Sequence, residues 1–157
     1  MKRVRRFAAV LCTACMALAL TACGGKEKEV TVDTAALASD LLETVTSDTL
    51  TETASDMLPS IYFFEEDTIE TGTAYASSGT TACEIAVVQS KDADNTASVE
   101  KLFQTRVDNQ SDLYASYNEG EVARLDTAII KSAGAYTVLC VCDDVDKAND
   151  ILEEYGF

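Results

Sequence analysis

The sequence predicts an α+β domain with a mainly antiparallel sheet, built from two hairpins with helices packed on one face in the order α-β-β-α-β-β-α. Three observations carry this. Apolar positions recur at spacings of 3 and 4 in three segments, 33–46, 95–117 and 145–155. Two other segments, 73–89 and 126–142, each join two apolar runs through a short connection that contains glycine. Each of these paired runs is followed by a helical segment.

In chain order, Asp33 to Thr46 places Ala36, Leu37, Leu41, Leu42 and Val45 on one stripe, with Asp33 as the expected cap. Pro59, the single proline, argues against a helix through Ser47 to Ser60. Ile61 to Phe64 is expected to pack on the domain, and Glu65, Glu66, Asp67 and Glu70 to face water. The first hairpin runs Thr73 to Ser77 and Ala82 to Gln89 around Ser78-Gly79-Thr80; the second runs Asp126 to Lys131 and Tyr136 to Cys142 around Ser132 to Ala135. Ile85 to Val88 and Val138 to Val141 are apolar at consecutive positions, as in inner strands. Asn95 to Tyr117 is the longest helix, carrying Val99, Leu102, Phe103, Val107, Leu113, Tyr114 and Tyr117. Val145 to Tyr155 closes the domain, with Asp143 or Asp144 as cap and Gly156 beyond its end.

The N-terminus reads as an address. Lys2, Arg3, Arg5 and Arg6 precede a 16-residue apolar run, Phe7 to Ala22. A membrane-crossing helix needs about 20 apolar residues, so the run suits a cleaved secretory signal over residues 1–22 better than a permanent span. Leu20-Thr21-Ala22-Cys23 resembles the lipobox of bacterial lipoproteins. The resemblance implies a thioether-linked diacylglycerol on Cys23, and two acyl chains hold a protein on a bilayer where one does not. Cys12 and Cys15 lie inside the apolar run and lack the pattern. Residues 23–32 then form a flexible tether, with Lys26, Glu27, Lys28 and Glu29 alternating in sign, and residues 33–157 form a single domain.

Cleavage before Cys23 removes four of the 12 basic residues and none of the 27 acids, taking the net charge from −15 to −19. Such a surface repels phosphate backbones, so no nucleic-acid partner is expected. Histidine is absent, which removes the usual general base and the commonest metal ligand. With so many carboxylates, near neighbours are inevitable, and none stands out as an acid and base pair. The acidic runs at Asp92 and Asp143 lack the EF-hand pattern, since Ala97 and Phe103 occupy its glycine and glutamate positions after Asp92; helix capping explains both. No cofactor or metal site is expected. Three cysteines remain beside Cys23, namely Cys83, Cys140 and Cys142, and their odd number favours buried free thiols over a disulfide.

One polar cluster does stand out. Arg106 and Gln110 interrupt the apolar stripe of the central helix at positions four and eight residues after Leu102, so they share its face. A buried guanidinium needs a partner, and Glu84 is the nominee, with Gln110 bonded to a backbone carbonyl. The alternative is that Arg106 lines a small ligand pocket.

Tyr75-Ala76-Ser77, Glu84-Ile85-Ala86-Val87, the pattern Leu102, Arg106, Gln110 and Tyr117, and Gly134-Ala135-Tyr136, taken with the lipobox, resemble a family of small Gram-positive bacterial lipoproteins built on a domain of unknown function. The resemblance spans residues 36–155 and implies a location and a single-domain architecture, but no reaction. The expectation is therefore a protein anchored in the cell membrane through a lipid on Cys23, exposed on the extracytoplasmic face, acting as a non-catalytic module that binds a protein or small ligand. The alternative is a carboxylate-based enzyme acting on envelope polymers.

Overall fold

The computed structural model describes residues 30–157 apart from Glu66. The signal sequence, the lipobox with Cys23, the tether through Glu29 and the expected exposure of Glu66 lie outside the described residues.

The chain is α+β with an antiparallel sheet of five strands, β1 (Thr51–Thr53), β2 (Ile69–Ala76), β3 (Glu84–Ser90), β4 (Ile129–Ala133) and β5 (Tyr136–Val141), in the spatial order β1-β2-β3-β5-β4. The two expected hairpins lie side by side, joined where β3 pairs β5 from Glu84 opposite Val141 to Gln89 opposite Tyr136. The helices are α1 (Thr34–Leu41), α2 (Leu58–Tyr62), α3 (Thr96–Tyr114), α4 (Glu119–Leu125) and α5 (Val145–Tyr155).

Alternate residues of a strand point to opposite faces. Ala86, Val88, Leu139 and Val141 meet Leu58 and Tyr62 of α2, Val99, Phe103 and Val107 of α3 and Leu125 of α4. Ile85, Val87, Val138 and Cys140 meet Leu37 and Leu41 of α1 and Ala148 and Leu152 of α5. Helices therefore cover both faces, correcting the expected one-faced packing. The reason lies in the apolar runs themselves: with one face bare, Ile85, Val87 and Val138 would stand in water.

Local chemistry explains the elements. Asp33 caps α1, accepting from the Ala35 and Ala36 amides at 3.0 and 3.1 Å. Asp144 caps α5, and Gly156, in the left-handed region at φ 95°, ends it. Gly134 adopts φ 57° in the two-residue connection between β4 and β5.

Other boundaries partly follow and partly differ from expectation. As Pro59 argues, no helix runs through Ser47 to Ser60: β1 lies within that segment, and α2 begins only at Leu58, with Pro59 in its first turn, where no intrahelical amide bond is lost. That helix ends on Phe63 at φ 59°; Ile61, Tyr62 and Phe64 pack on the domain as expected, and Phe63 alone is left 69 % exposed. The central helix stops at Tyr114, Leu113 and Tyr117 are exposed, and α4 precedes β4, which begins at Ile129. Val32 is already buried and Val30 packs beside it, so the domain begins ahead of Asp33.

Gly72 on β2 faces α2 at close range. A Cβ there would lie 2.8 Å from Val88 Cγ1 and 3.3 Å from the Val87 carbonyl oxygen. Gly72→Ala should therefore destabilise the fold by about 1–3 kcal/mol through overpacking. Urea denaturation measures this, and an unchanged midpoint would show that α2 yields freely.

Candidate functional site

Glu84 opens β3 and is 4 % exposed. A carboxylate so placed must be paired. Tyr62, at the end of α2, donates its hydroxyl to Glu84 Oε1 at 2.6 Å, and Arg106, on α3, donates Nε–H to Oε2 at 3.1 Å. Burial first, then the Glu84 charge and hydrogen bond, push the Tyr62 hydroxyl well above its ordinary value, so Tyr62 stays a donor. Gln110, oriented with its carboxamide oxygen toward the guanidinium, accepts from Arg106 Nη1 at 2.7 Å and Nη2 at 3.0 Å. The structure thus brings Glu84, Arg106 and Gln110 together. Gln110 bonds Arg106 instead of the expected backbone carbonyl, because a one-turn spacing puts it within reach of the guanidinium. Tyr62 was missed in the sequence because its proximity to Glu84 depends on the unforeseen helix α2.

A second network lies at the same end of the sheet. Arg124 on α4 bonds Asp143 and donates Nη1–H to Ser47 Oγ at 2.9 Å and to Cys83 Sγ at 2.8 Å. Its Nε is 3.0 Å from Glu121 Oε2, but the N–H points off that line, so this contact is one of charge. Glu121 Oε2 also accepts the Ala82 amide at 2.7 Å. Asp143 receives the Thr46 and Ser47 amides at 2.6 and 2.8 Å. Burial alone would raise its carboxyl; these amides, the Ser47 hydroxyl and Arg124 outweigh it and hold the group far below the usual carboxylate range. Asp48 accepts from Ser77 Oγ at 2.6 Å and Thr81 Oγ1 at 2.8 Å, and Ser77 Oγ in turn accepts the amides of Gly79, Thr80 and Thr81. These bonds fix the loop between β2 and β3.

That loop and the C-terminal half of α3 enclose a pocket of about 320 Å³, which Arg106, Gln110, Leu113, Tyr114 and Tyr117 line together with Glu84. A larger hollow of about 970 Å³ at the opposite end of the sheet, beside Val30, Gln89, Gly134 and Tyr136, has no charged side chain on its wall. Cys83, Cys140 and Cys142 are free and buried. Burial raises the Cys83 thiol despite its Arg124 contact, so it is no activated nucleophile. Asp92 and Asp144 act as caps, and among the described residues no group of three or more acidic or cysteine side chains is arranged for a metal ion.

Arg106→Ala should cost about 2–4 kcal/mol, because it leaves Glu84 buried with Tyr62 as its remaining partner; the exposed flank of Arg106 keeps the loss below that of a fully buried pair. The double variant Arg106→Met with Glu84→Gln should recover most of it, read by urea denaturation. An unchanged Arg106→Ala would place the pair outside the stability of the fold. Asp143 makes a pH prediction. Its folded value is depressed, so its contribution is complete above the unfolded value of about 3.9 and is lost as pH falls toward the folded value. The stability difference between the protein and Asp143→Asn should be constant near neutral pH and shrink below about pH 4.

A family model for a domain of unknown function, DUF4358, matches residues 43–142. No curated protein and no solved structure matches the chain. The match holds all five strands together with Tyr62, Glu84, Arg106 and Gln110. It covers more than half of the 157 residues, and the chain accordingly belongs to the DUF4358 family.

Proposed function

We infer that the protein is a Gram-positive lipoprotein, held on the extracytoplasmic face of the cell membrane by a diacylglycerol on Cys23, and that its domain is a non-catalytic binding module. The observation that carries the binding part is the state of the carboxylate in the pocket. Glu84 has Tyr62 on one oxygen and Arg106 on the other, and is 4 % exposed. Each oxygen already accepts a hydrogen bond and the carboxylate is almost wholly buried, which places it poorly for proton transfer to a substrate, and no second carboxylate lines the pocket. The remaining wall is a partly exposed guanidinium, an amide and two exposed apolar side chains, which suits recognition.

The fold also suits presentation from a tether. Val30, where the tether joins the domain, lies against Gly134, and Gly134 stands at the end of the sheet marked by Gln89 opposite Tyr136. The pocket is at the other end, beside Ala76 opposite Glu84. The five steps from Glu84 to Gln89, at about 3.3 Å each, separate the two ends by about 17 Å. A domain rooted at Val30 therefore carries its pocket at the sheet end opposite that root. Its net charge of −15 supports a partner other than nucleic acid.

Two measurements test the reading. Cys23→Ala should move the protein from the detergent phase to the aqueous phase, and equal partitioning of both forms would exclude the lipid anchor. On intact cells, a membrane-impermeant benzophenone maleimide at Ser78→Cys, on the pocket rim, should label and photocrosslink to a discrete species. The same probe at Ala123→Cys, on exposed α4, should label without that adduct. Indistinguishable crosslinking patterns at the two positions would overturn the pocket as the binding site.

A further inference from the structure

We propose that the pocket between the β2–β3 loop and the end of α3 takes an uncharged saccharide; this deepens the reading of that pocket as a binding site and rests on it. Net charge is the first constraint. A cationic ligand meets the Arg106 guanidinium on the wall, and the one carboxylate there, Glu84, is 4 % exposed and already paired with that guanidinium. An anionic ligand would meet a guanidinium already neutralised at 3.1 Å, with Asp48 bonded to the pocket residues Ser77 and Thr81, in a chain of net charge −15. A neutral ligand meets neither cost.

Hydrogen-bonding sense is the second constraint. A guanidinium has five N–H donors. Glu84 takes one, and Gln110 takes one each from Nη1 and Nη2, so two are left. With its oxygen committed to Arg106, Gln110 turns its NH₂ group away from the guanidinium, adding further donors to the pocket it lines. The pocket therefore favours a ligand rich in hydroxyl and carbonyl oxygens.

The third constraint is the apolar platform. Leu113 and Tyr117 are 55 % and 62 % exposed on the wall that also carries Arg106 and Gln110. The Tyr117 ring is not loose: its centroid lies 5.2 Å from that of Tyr114, whose hydroxyl is fixed to the Thr81 carbonyl at 2.6 Å. A sugar ring offers a C–H face to such an aromatic and a rim of oxygens to the neighbouring donors. Ser78, exposed on the same wall, adds a hydroxyl that can donate to or accept from a ring hydroxyl.

The test is calorimetric titration of the full-length protein in a detergent without a sugar headgroup. The probes are the β-1,4-linked tetramer of N-acetylglucosamine, maltotetraose, N-acetylated and C-amidated tetra-alanine, and inorganic phosphate. At least one of the two saccharides should bind, and Tyr117→Ala and Gln110→Ala should each weaken that binding about tenfold or more. Both variants alter half-buried or exposed side chains, so the fold should persist. Binding of the peptide or phosphate alone, lost in Tyr117→Ala, would overturn the saccharide assignment while leaving the pocket as a binding site. Saccharide binding indifferent to both substitutions would overturn the assignment as well. If no probe binds but the Ser78 adduct persists, the ligand class is wrong and the binding site stands; if the adduct is also absent, both readings fall.

Discussion

The fold depends on one constraint: β3 and β5, paired at the middle of the sheet, are apolar on both faces. Ile85, Ala86, Val87 and Val88 are each fully buried, as are Val138, Leu139 and Cys140 opposite them. Two layers of helix are then required: α1 and α5, which flank the sheet in sequence, supply one, and α2, α3 and α4, which lie between its strands in the chain, supply the other. Each Val or Leu side chain so covered contributes about 1.5–3 kcal/mol relative to exposure. That gain outweighs local preferences where they conflict. It accommodates Phe63 in a left-handed backbone conformation unusual for a bulky residue, because the turn delivers Tyr62 and Phe64 to Phe103, with ring centroids 5.2 and 5.8 Å away.

The polar site is a consequence of the same burial. Glu84 is the first residue of β3, a strand buried at all but one position, and a carboxylate there without partners would be untenable. Tyr62 and Arg106 meet it from two different helices, so one side chain sets where α2 ends and how α3 lies along the sheet. Because α3 presents Arg106 and Gln110 in place of apolar residues, it cannot close tightly over the start of β3. The 320 Å³ pocket occupies that gap. Arg106 thus belongs to both the buried pair and the pocket, pairing with Glu84 through Nε while lining the pocket.

Much of this was legible in the sequence, and what was not has physical causes. The last helix, Val145–Tyr155, follows directly from its apolar stripe, the Asp144 cap and Gly156. The pairing of Arg106 with Glu84 follows from a polar interruption in an apolar stripe and the rule that a buried charge must be matched. The second helical layer was implied by the two-faced strands, yet the packing assigned to the sheet left it out. Strand β1 has three residues and owes its existence to the edge of β2, and α2 has five; neither is long enough for a periodicity to register. The Arg124 network was invisible because Ser47, Cys83 and Asp143 reach it from three separate connections; only Glu121, three residues before Arg124 on α4, is related to it by spacing.

The extent of the family match bears on what folds as a unit. Residues 43–142 contain the sheet, α2, α3 and α4, and so the whole of one helical layer. Both helices of the other layer, α1 and α5, lie outside that span. Ile85, Val87, Val138 and Cys140 need those helices, whose Leu37, Leu41, Ala148 and Leu152 are each fully buried against them. The two layers are also stitched at the sheet end that bears the pocket. Asp143, just before α5, accepts the amides of Thr46 and Ser47, which follow α1, and bonds Arg124 on α4 in the opposite layer. The matched span carries the pocket, but the cover that lets its central strands exist, and the carboxylate that ties Arg124 in place, come from the residues on either side. The family span is therefore the inner part of a larger packed unit, whose second helical layer comes from α1 and α5.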